Sequence, residues 1–305
     1  MSESQPPRHY LSLLDLSREE LARIFERAAE LKAMLRARTS HETLRGRVLG
    51  MIFEKSSTRT RVSFEAGMAQ MGGYSVFLSP RDSHLGRGEP VEDTARVMSR
   101  MVDAVAIRTF DQGMLEQFAA CSRVPVVNAL TDRFHPCQIL ADVFTFQEHR
   151  GSIENRTVAW VGDGNNMCHS FINAAHRFGF DLRIATPADY APAADVVAVA
   201  GNRVSLFEEP REAVAGADLV ATDVWASMGQ EQEQRQREAA FAAFQVDEAL
   251  LAEADGDAIV MHCLPAHRGE EISAAVIDGP RSVVWDEAEN RMHVQKALLE
   301  FLISG

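Results

Sequence analysis

Short apolar runs rich in β-branched residues alternate with amphipathic stretches along almost the whole chain, and this alternation restricts the fold more than any other feature. Strands are expected at 48–53 (VLGMIF), 73–78, 104–107, 124–128, 157–161 (TVAWV), 181–186, 218–222, 258–262 and 282–285. Helical periodicity fills most of the gaps, notably at 60–71, 91–101, 111–121, 137–149, 167–178 and 288–303. Runs apolar on both faces, separated by helices, belong in parallel sheets covered by helices on both sides. Near the N-terminus, Ser17 and Glu20 have capping-box spacing, and Leu21, Ile24, Phe25, Ala28, Leu31 and Leu35 share one face, so Ser17–Arg38 reads as a helix.

The chain has 305 residues, long for one hydrophobic core and comfortable for two. The polar stretch Arg150–Arg156 is the best boundary. Domains are therefore expected over 1–150 and 151–287, with the last helix (288–305) packing back on the first. A formal charge of −13 argues against general nucleic-acid binding. No apolar run of 18 or more residues suggests a membrane span. Met1–Tyr10 has neither the pattern of a signal peptide nor that of a transit peptide. Cys121, Cys137, Cys168 and Cys263 lack framework spacing, which leads us to expect reduced thiols in a cytoplasmic protein. Cys121 is expected in the core, and Cys137 and Cys168 as packing or helix-surface residues.

In parallel sheets, ligands collect beyond the carboxyl ends of the strands. The unusual polar residues of this chain fall there repeatedly: Lys55–Arg61 (KSSTRTR), Arg108, His135–Gln138 (HPCQ), Gly162–Met167 (GDGNNM), Asp223–Gly229 (DVWASMG) and His262–Pro265 (HCLP). Six such strand ends point to one cleft between two sheets. Hydroxyls and guanidinium groups at a helix start, as in Ser57-Thr58-Arg59-Thr60-Arg61, suit a phosphate: free N–H groups, helix dipole and bidentate donors act together. For Ser57 alone a plain helix cap is the better reading. Gly162-x-Gly164-x-x-Met167 hints at a dinucleotide fingerprint, but the third glycine is missing, and the next strand ends Ala185-Thr186-Pro187 without a carboxylate for a ribose. His135, Cys137, His262, Cys263 and His267 form a zinc set only weakly, because no pair has finger-like spacing.

The Ser57–Arg61 and His135–Gln138 segments resemble the two motifs shared by the aspartate and ornithine carbamoyltransferases, in order and spacing, from about Tyr10 to the C-terminus. The segments after residue 160 resemble the ornithine branch. Residues 79–90 lack the lysine typical of the aspartate branch, and the intact Asp-x-x-x-Ser-Met-Gly argues against acceptors such as putrescine or N-acetylornithine.

The resemblance implies two α/β domains with the site in the cleft between them, transfer of a carbamoyl group to the δ-amine of L-ornithine to give citrulline, and no metal or organic cofactor. It implies that Ser57, Thr58, Arg59 and Thr60 hold the phosphate, and that Arg108, His135 and Thr60 face the carbamoyl oxygen. Gln138 would hold the carbamoyl nitrogen. Cys263, Leu264 and Arg291 also bind carbamoyl phosphate, as does His84 from a neighbouring subunit. Asn166, Asp223, Ser227 and Met228 bind ornithine, with Cys263 and Asp223 near the δ-amine. It further implies a homotrimer or a multiple of trimers. The alternatives are a transcarbamylase for putrescine or N-acetylornithine, and a silent carbamoyl-phosphate- or amino-acid-binding protein. Residues 229–238 (GQEQEQRQRE) form a very polar insertion that reads as a solvated loop or a helix start, and the register of the Gln-, Glu- and Arg-rich 229–245 segment within the family pattern is left open.

Overall fold

The computed structural model describes residues 6–79, 88–226 and 233–304; of the residues singled out above, His84, Ser227 and Met228 lie outside these ranges. The chain divides into two compact units, Met1–Leu140 with Glu289–Gly305, and Ala141–Ala288. One division falls inside a helix that begins before residue 140 and runs on to Arg150. The polar stretch at 150–156 therefore marks the end of that helix.

In the first unit, α1 (Arg18–Arg36) starts on the anticipated capping box: the Ser17 hydroxyl accepts from Glu20 N at 3.2 Å and the Glu20 carboxylate accepts from Ser17 N at 2.9 Å. The strands β1 (Val48–Phe53), β2 (Tyr74–Leu78), β3 (Ala104–Arg108) and β4 (Val126–Leu130) form a parallel sheet in the order β2-β1-β3-β4. The connections carry α2 (Thr58–Gln70), α3 (Val91–Met98) and α4 (Gln112–Cys121), and α5 (Pro136–Arg150) follows β4. Ile52, Val105, Ile107, Leu115, Phe118 and Val126 meet in one apolar cluster. Cys121 packs against this cluster half-buried, so it sits at the margin of the core rather than inside it. Tyr10 bridges Val127, and its hydroxyl donates to the Pro136 carbonyl at 3.1 Å, so the leading segment covers the outer edge of β4.

The second unit holds β5 (Thr157–Val161), β6 (Asp181–Ala185), β7 (Val204–Phe207), β8 (Leu219–Thr222) and β9 (Ile259–His262) in the order β7-β6-β5-β8-β9, all parallel. Its helices are α6 (Asn166–Phe178), α7 (Ala194–Ala200), α8 (Pro210–Val214), α9 (Gln234–Phe241), α10 (Glu248–Leu251) and α11 (Ala274–Ile277). The helix α12 (Val284–Ser304) starts here and from Glu289 belongs to the first unit. There it docks through buried polar contacts: Lys32 Nζ donates to Asn290 Oδ1 at 2.7 Å, and Lys296 Nζ to Gln70 Oε1 at 2.9 Å and His41 Nε2 at 2.7 Å.

Two readings of the sequence change. Residues 282–285 are not a strand: Ser282 makes a single bridge to Val260, and Val284 opens α12. Val283 and Val284 are apolar because both are buried, not because they join the sheet. Conversely, β7 escaped notice because it is an edge strand of only four residues, Val204–Phe207, too short a run to stand out in the sequence.

One device occurs in both units. Asp103, ahead of β3, accepts from Val48 N and Arg47 Nη1, both at 2.8 Å. Asp218, ahead of β8, accepts from Thr157 N and Arg156 Nη1, both at 2.9 Å. In each unit an aspartate staples the amino-terminal ends of the two central strands and leaves the carboxyl ends for ligands.

Candidate active site

Both sheet orders reverse beside their first strand. In the first unit β2 lies on one side of β1 and β3 on the other; in the second, β6 lies on one side of β5 and β8 on the other. At such a reversal the two connections leave in opposite directions and open a crevice past the strand ends. The β1–α2 turn and Arg108 flank the first crevice, and the β5–α6 turn and Asp223 flank the second.

The first crevice is cationic. Ser57 caps α2, its hydroxyl accepting from Thr60 N at 3.3 Å. It also donates to Thr60 Oγ1 at 2.9 Å, and Arg291 Nη2 donates to the same oxygen at 2.7 Å. Thr60 Oγ1 thus accepts two hydrogen bonds. Arg108 at the end of β3, His135 ahead of α5 and Arg291 on α12 are all buried. Burial pushes the His135 imidazolium well below the usual histidine range, and the charges of Arg291, Arg108 and Arg59 push it the same way. His135 is therefore a neutral ring among three guanidinium groups. Gln138 lies one turn into α5 and is also buried. Ser57, Thr58 and Arg59 remain at least partly open to solvent. An anion entering here meets fixed positive charge, the first N–H groups of α2 and hydroxyl donors.

The second crevice is organised around Asp223. Its Oδ1 accepts from Val224 N at 2.8 Å and from the Cys263 thiol at 3.1 Å, and its Oδ2 accepts from Asn165 Nδ2 at 3.0 Å. Burial raises the Cys263 thiol well above its ordinary value, and the negative charges of Asp223 and Glu287 raise it further. Cys263 is accordingly a protonated donor, not a thiolate. Asn165 caps α6, its Oδ1 accepting from Met167 N at 2.9 Å and Cys168 N at 3.1 Å. A buried carboxylate held open by neutral donors is a receptor for an ammonium group.

Two family models match the chain: "Aspartate/ornithine carbamoyltransferase, carbamoyl-P binding domain" over residues 8–148, and "Aspartate/ornithine carbamoyltransferase, Asp/Orn binding domain" over residues 154–302. The chain belongs to the aspartate/ornithine carbamoyltransferase family. Among its relatives, the ornithine carbamoyltransferase of Halorhodospira halophila is 65% identical, covering 98% of this chain and 99% of that one. The anabolic ornithine carbamoyltransferase of Pseudomonas aeruginosa is 62% identical, over 97% of each chain. The crystal structure of ornithine carbamoyltransferase from Burkholderia thailandensis superposes with a TM-score of 0.91 at 55% identity, covering 97% of this chain and 98% of that one.

Within this carbamoyltransferase fold, Arg59, Thr60, Arg108, His135 and Arg291 come together in the first unit, and Asp223 and Cys263 in the second. Leu264 follows Cys263 directly, in the left-handed region at φ +55°. Asn166 takes the first position of α6, but the neighbour that reaches Asp223 is Asn165. Sequence reasoning passed over Asn165, although an asparagine just before an apolar helix is a signal of its own.

Also unforeseen is Arg237, in the polar segment that could not be aligned. It is buried on α9, donates to Asp163 Oδ2 at 2.8 Å and to the Trp225 carbonyl at 2.9 Å, and lies over the Tyr190 ring. Burial pushes the Asp163 carboxyl up to about 6 against the opposing pull of Arg237.

Packing accounts for the glycines and cysteines that hinted at a dinucleotide or at zinc. A Cβ on Gly164 would lie 2.3 Å from Pro192 N and 2.5 Å from Ala191 C, so this glycine admits the passing 190–192 backbone. Cys137 is buried and donates to the Asn128 carbonyl at 3.3 Å, and burial raises its thiol to about 12. Asp223, His262 and Cys263 do converge, but both ring nitrogens of His262 are engaged by the protein. No helix among the described residues is long and apolar enough to cross a membrane.

Proposed function

We propose that the chain transfers the carbamoyl group of carbamoyl phosphate to the δ-amine of L-ornithine, giving L-citrulline and phosphate. The observation that carries this reading is the buried, neutral His135, whose imidazolium is lowered further by the charges of Arg291, Arg108 and Arg59, with Arg291 hydrogen-bonded to Thr60. That arrangement suits a phosphate next to a carbonyl whose oxygen gains charge in the transition state. Relatives at 60–65% identity over nearly the whole chain carry the same activity in their names.

In this reading Ser57, Thr58, Arg59 and Thr60 hold the phosphate, with His84 of a neighbouring subunit completing its shell. Arg108, His135 and Thr60 face the carbamoyl oxygen, and a neutral His135 meets this need as a donor. Gln138 holds the carbamoyl nitrogen, and Cys263 and Leu264 also bind carbamoyl phosphate. Asp223 and Ser227 take the α-ammonium of ornithine, and Asn166 and the Met228 backbone take its carboxylate. The δ-amine attacks as the free base: a C–N bond forms, the C–O bond to phosphate breaks with its electron pair leaving on phosphate, and the proton the nitrogen sheds passes to the departing phosphate. Cys263, held as a thiol, serves as a donor to Asp223 and needs no covalent step.

The assembly belongs to the same proposal: a homotrimer, cytoplasmic, working toward citrulline as the anabolic relative's name suggests for that protein. Supporting self-association, Tyr74 and Val76 on the edge strand β2, Val62 on α2 and Met101 after α3 are exposed apolar residues, with Tyr74 67% and Met101 72% exposed.

The test is product formation from carbamoyl phosphate with ornithine, aspartate, putrescine or N-acetylornithine as acceptor. Citrulline from ornithine alone is expected. Turnover with another amine alone overturns the acceptor assignment, and no turnover by folded protein overturns the reaction.

A further inference from the structure

His262 is the last residue of β9 and Glu271 lies nine positions on; neither has a role in the reaction as described above. Both side chains are fully buried. Their hydrogen bonds converge on the turn that presents Cys263. Leu264 N donates to His262 Nδ1 at 2.9 Å, so that nitrogen carries no proton. The proton is then on Nε2, which donates to Glu271 Oε1 at 2.9 Å. Glu271 Oε1 also accepts from His267 N at 2.7 Å, which closes the far end of the same segment. Glu287 Oε2 accepts from His262 N at 3.0 Å, fixing the residue from the α12 side. Glu271 is itself pinned in place: its carbonyl accepts from Val246 N at 2.9 Å.

The turn needs such a frame. Leu264 stands at φ +55°, a left-handed region that bulky side chains avoid unless their surroundings hold them there. The bond from Leu264 N to His262 Nδ1 spans two residues, the pattern by which an Asx side chain folds a turn. Between the two bonded residues sits Cys263, whose thiol points at Asp223.

We infer that His262 and Glu271 are positioning residues for carbamoyl transfer: Glu271 locks the imidazole in its Nε2–H form, and the imidazole folds the Cys263–Leu264 turn that sets the thiol against Asp223. The inference rests on the proposed reaction, since it concerns the turn that reading assigns to carbamoyl phosphate and the δ-amine. It assigns the pair no contact with either substrate.

Four variants separate this role from mere packing. In His262→Asn the carboxamide oxygen can still accept from Leu264 N but cannot reach Glu271; His262→Leu keeps bulk and loses both bonds. Glu271→Gln keeps an accepting oxygen, and Glu271→Leu does not. Ornithine KM and kcat are measured for each, with phosphate binding by calorimetry as a control on the first unit and alkylation of Cys263 followed by mass spectrometry.

The two leucine variants should lose on the order of 10- to 100-fold in kcat/KM for ornithine, as expected when a buried bond is broken on one side. Their affinity for inorganic phosphate should stay within about twofold, and Cys263 should alkylate faster. His262→Asn and Glu271→Gln should recover most of the loss. Leucine variants with wild-type kinetics and alkylation overturn the inference, and so does an asparagine variant no better than leucine. If a leucine variant does not fold, the comparison of His262→Asn and Glu271→Gln with wild type decides: a Cys263 alkylation rate or ornithine KM changed more than about tenfold in both also overturns it. Failure of the reaction assignment is a separate result, because it shows as no citrulline from the wild-type chain.

Discussion

At the scale of single residues, Asp223 is the group whose partners are most informative. Among the described residues, three neutral donors, Val224 N, the Cys263 thiol and Asn165 Nδ2, reach its carboxylate, which suits the proposed binding of an ammonium group. Asp223→Asn should raise the ornithine KM and lower kcat/KM by roughly 10- to 150-fold, the size of a lost charge-assisted hydrogen bond, while carbamoyl phosphate still protects the first unit. Steady-state kinetics with each substrate varied in turn checks this; an unchanged ornithine KM removes Asp223 from the amino-acid site. Cys263 makes the complementary case. With its thiol raised by burial and by two carboxylates, it should alkylate at pH 7.5 far more slowly than a free cysteine. Cys263→Ser, which keeps the donor to Asp223, should hold turnover within about tenfold of wild type, whereas a covalent role would abolish it.

At the scale of elements, starts and close approaches matter most. The Ser17–Glu20 box satisfies two N–H groups at the head of α1, so Ser17→Ala should cost about 1 kcal/mol in urea unfolding without touching turnover. Gly164 behaves differently. A methyl group there would sit within 2.6 Å of three backbone atoms of residues 190–192. Neither that backbone nor the β5–α6 turn has a soft side chain to yield, so Gly164→Ala should cost more than about 3 kcal/mol, or displace Asn165 and Asp223 together. A thermal melt beside the ornithine KM distinguishes these outcomes from a harmless exposed glycine.

At the scale of the whole molecule, three buried basic groups, His135, His293 and Lys296, are shifted in the same direction. His135 stays neutral well below its ordinary value, and His293 titrates at about 4, both mainly because burial disfavours the charged ring. The unfolded chain binds these protons near 6.5 and the folded chain does not, so stability is full above 6.5 and falls as pH drops below it. Each histidine contributes at most about 1.4 kcal/mol per pH unit in its window. Burial likewise lowers Lys296 to about 8 from 10.5, so stability gains again between those values. Melting temperatures at pH 7.5 and pH 5 should show the acid loss; a higher melting point at pH 5 contradicts it. Light scattering of the native chain tests the trimer, and replacing Tyr74 and Met101 by charged residues should shift it toward monomer.

Much of this molecule was legible in the sequence, because the decisive signals are local. Apolar runs of strand length between amphipathic helices require parallel sheets, and polar clusters just after those runs must lie at the carboxyl ends. Hence residues 57–60, 108, 135, 223 and 263 could be named from the chain alone. What failed was equally physical. Residues 282–285 are apolar because a helix start is buried there, and a short window cannot tell that from a strand. β7 is an edge strand of four residues, too short to give a clear periodicity. Only the tertiary structure decided which donors face Asp223, that burial among three guanidinium groups keeps His135 neutral, and that Arg237 is a buried anchor rather than part of a solvated loop. These depend on residues far apart in the chain, and a burial or charge that arises from such neighbours has no local trace.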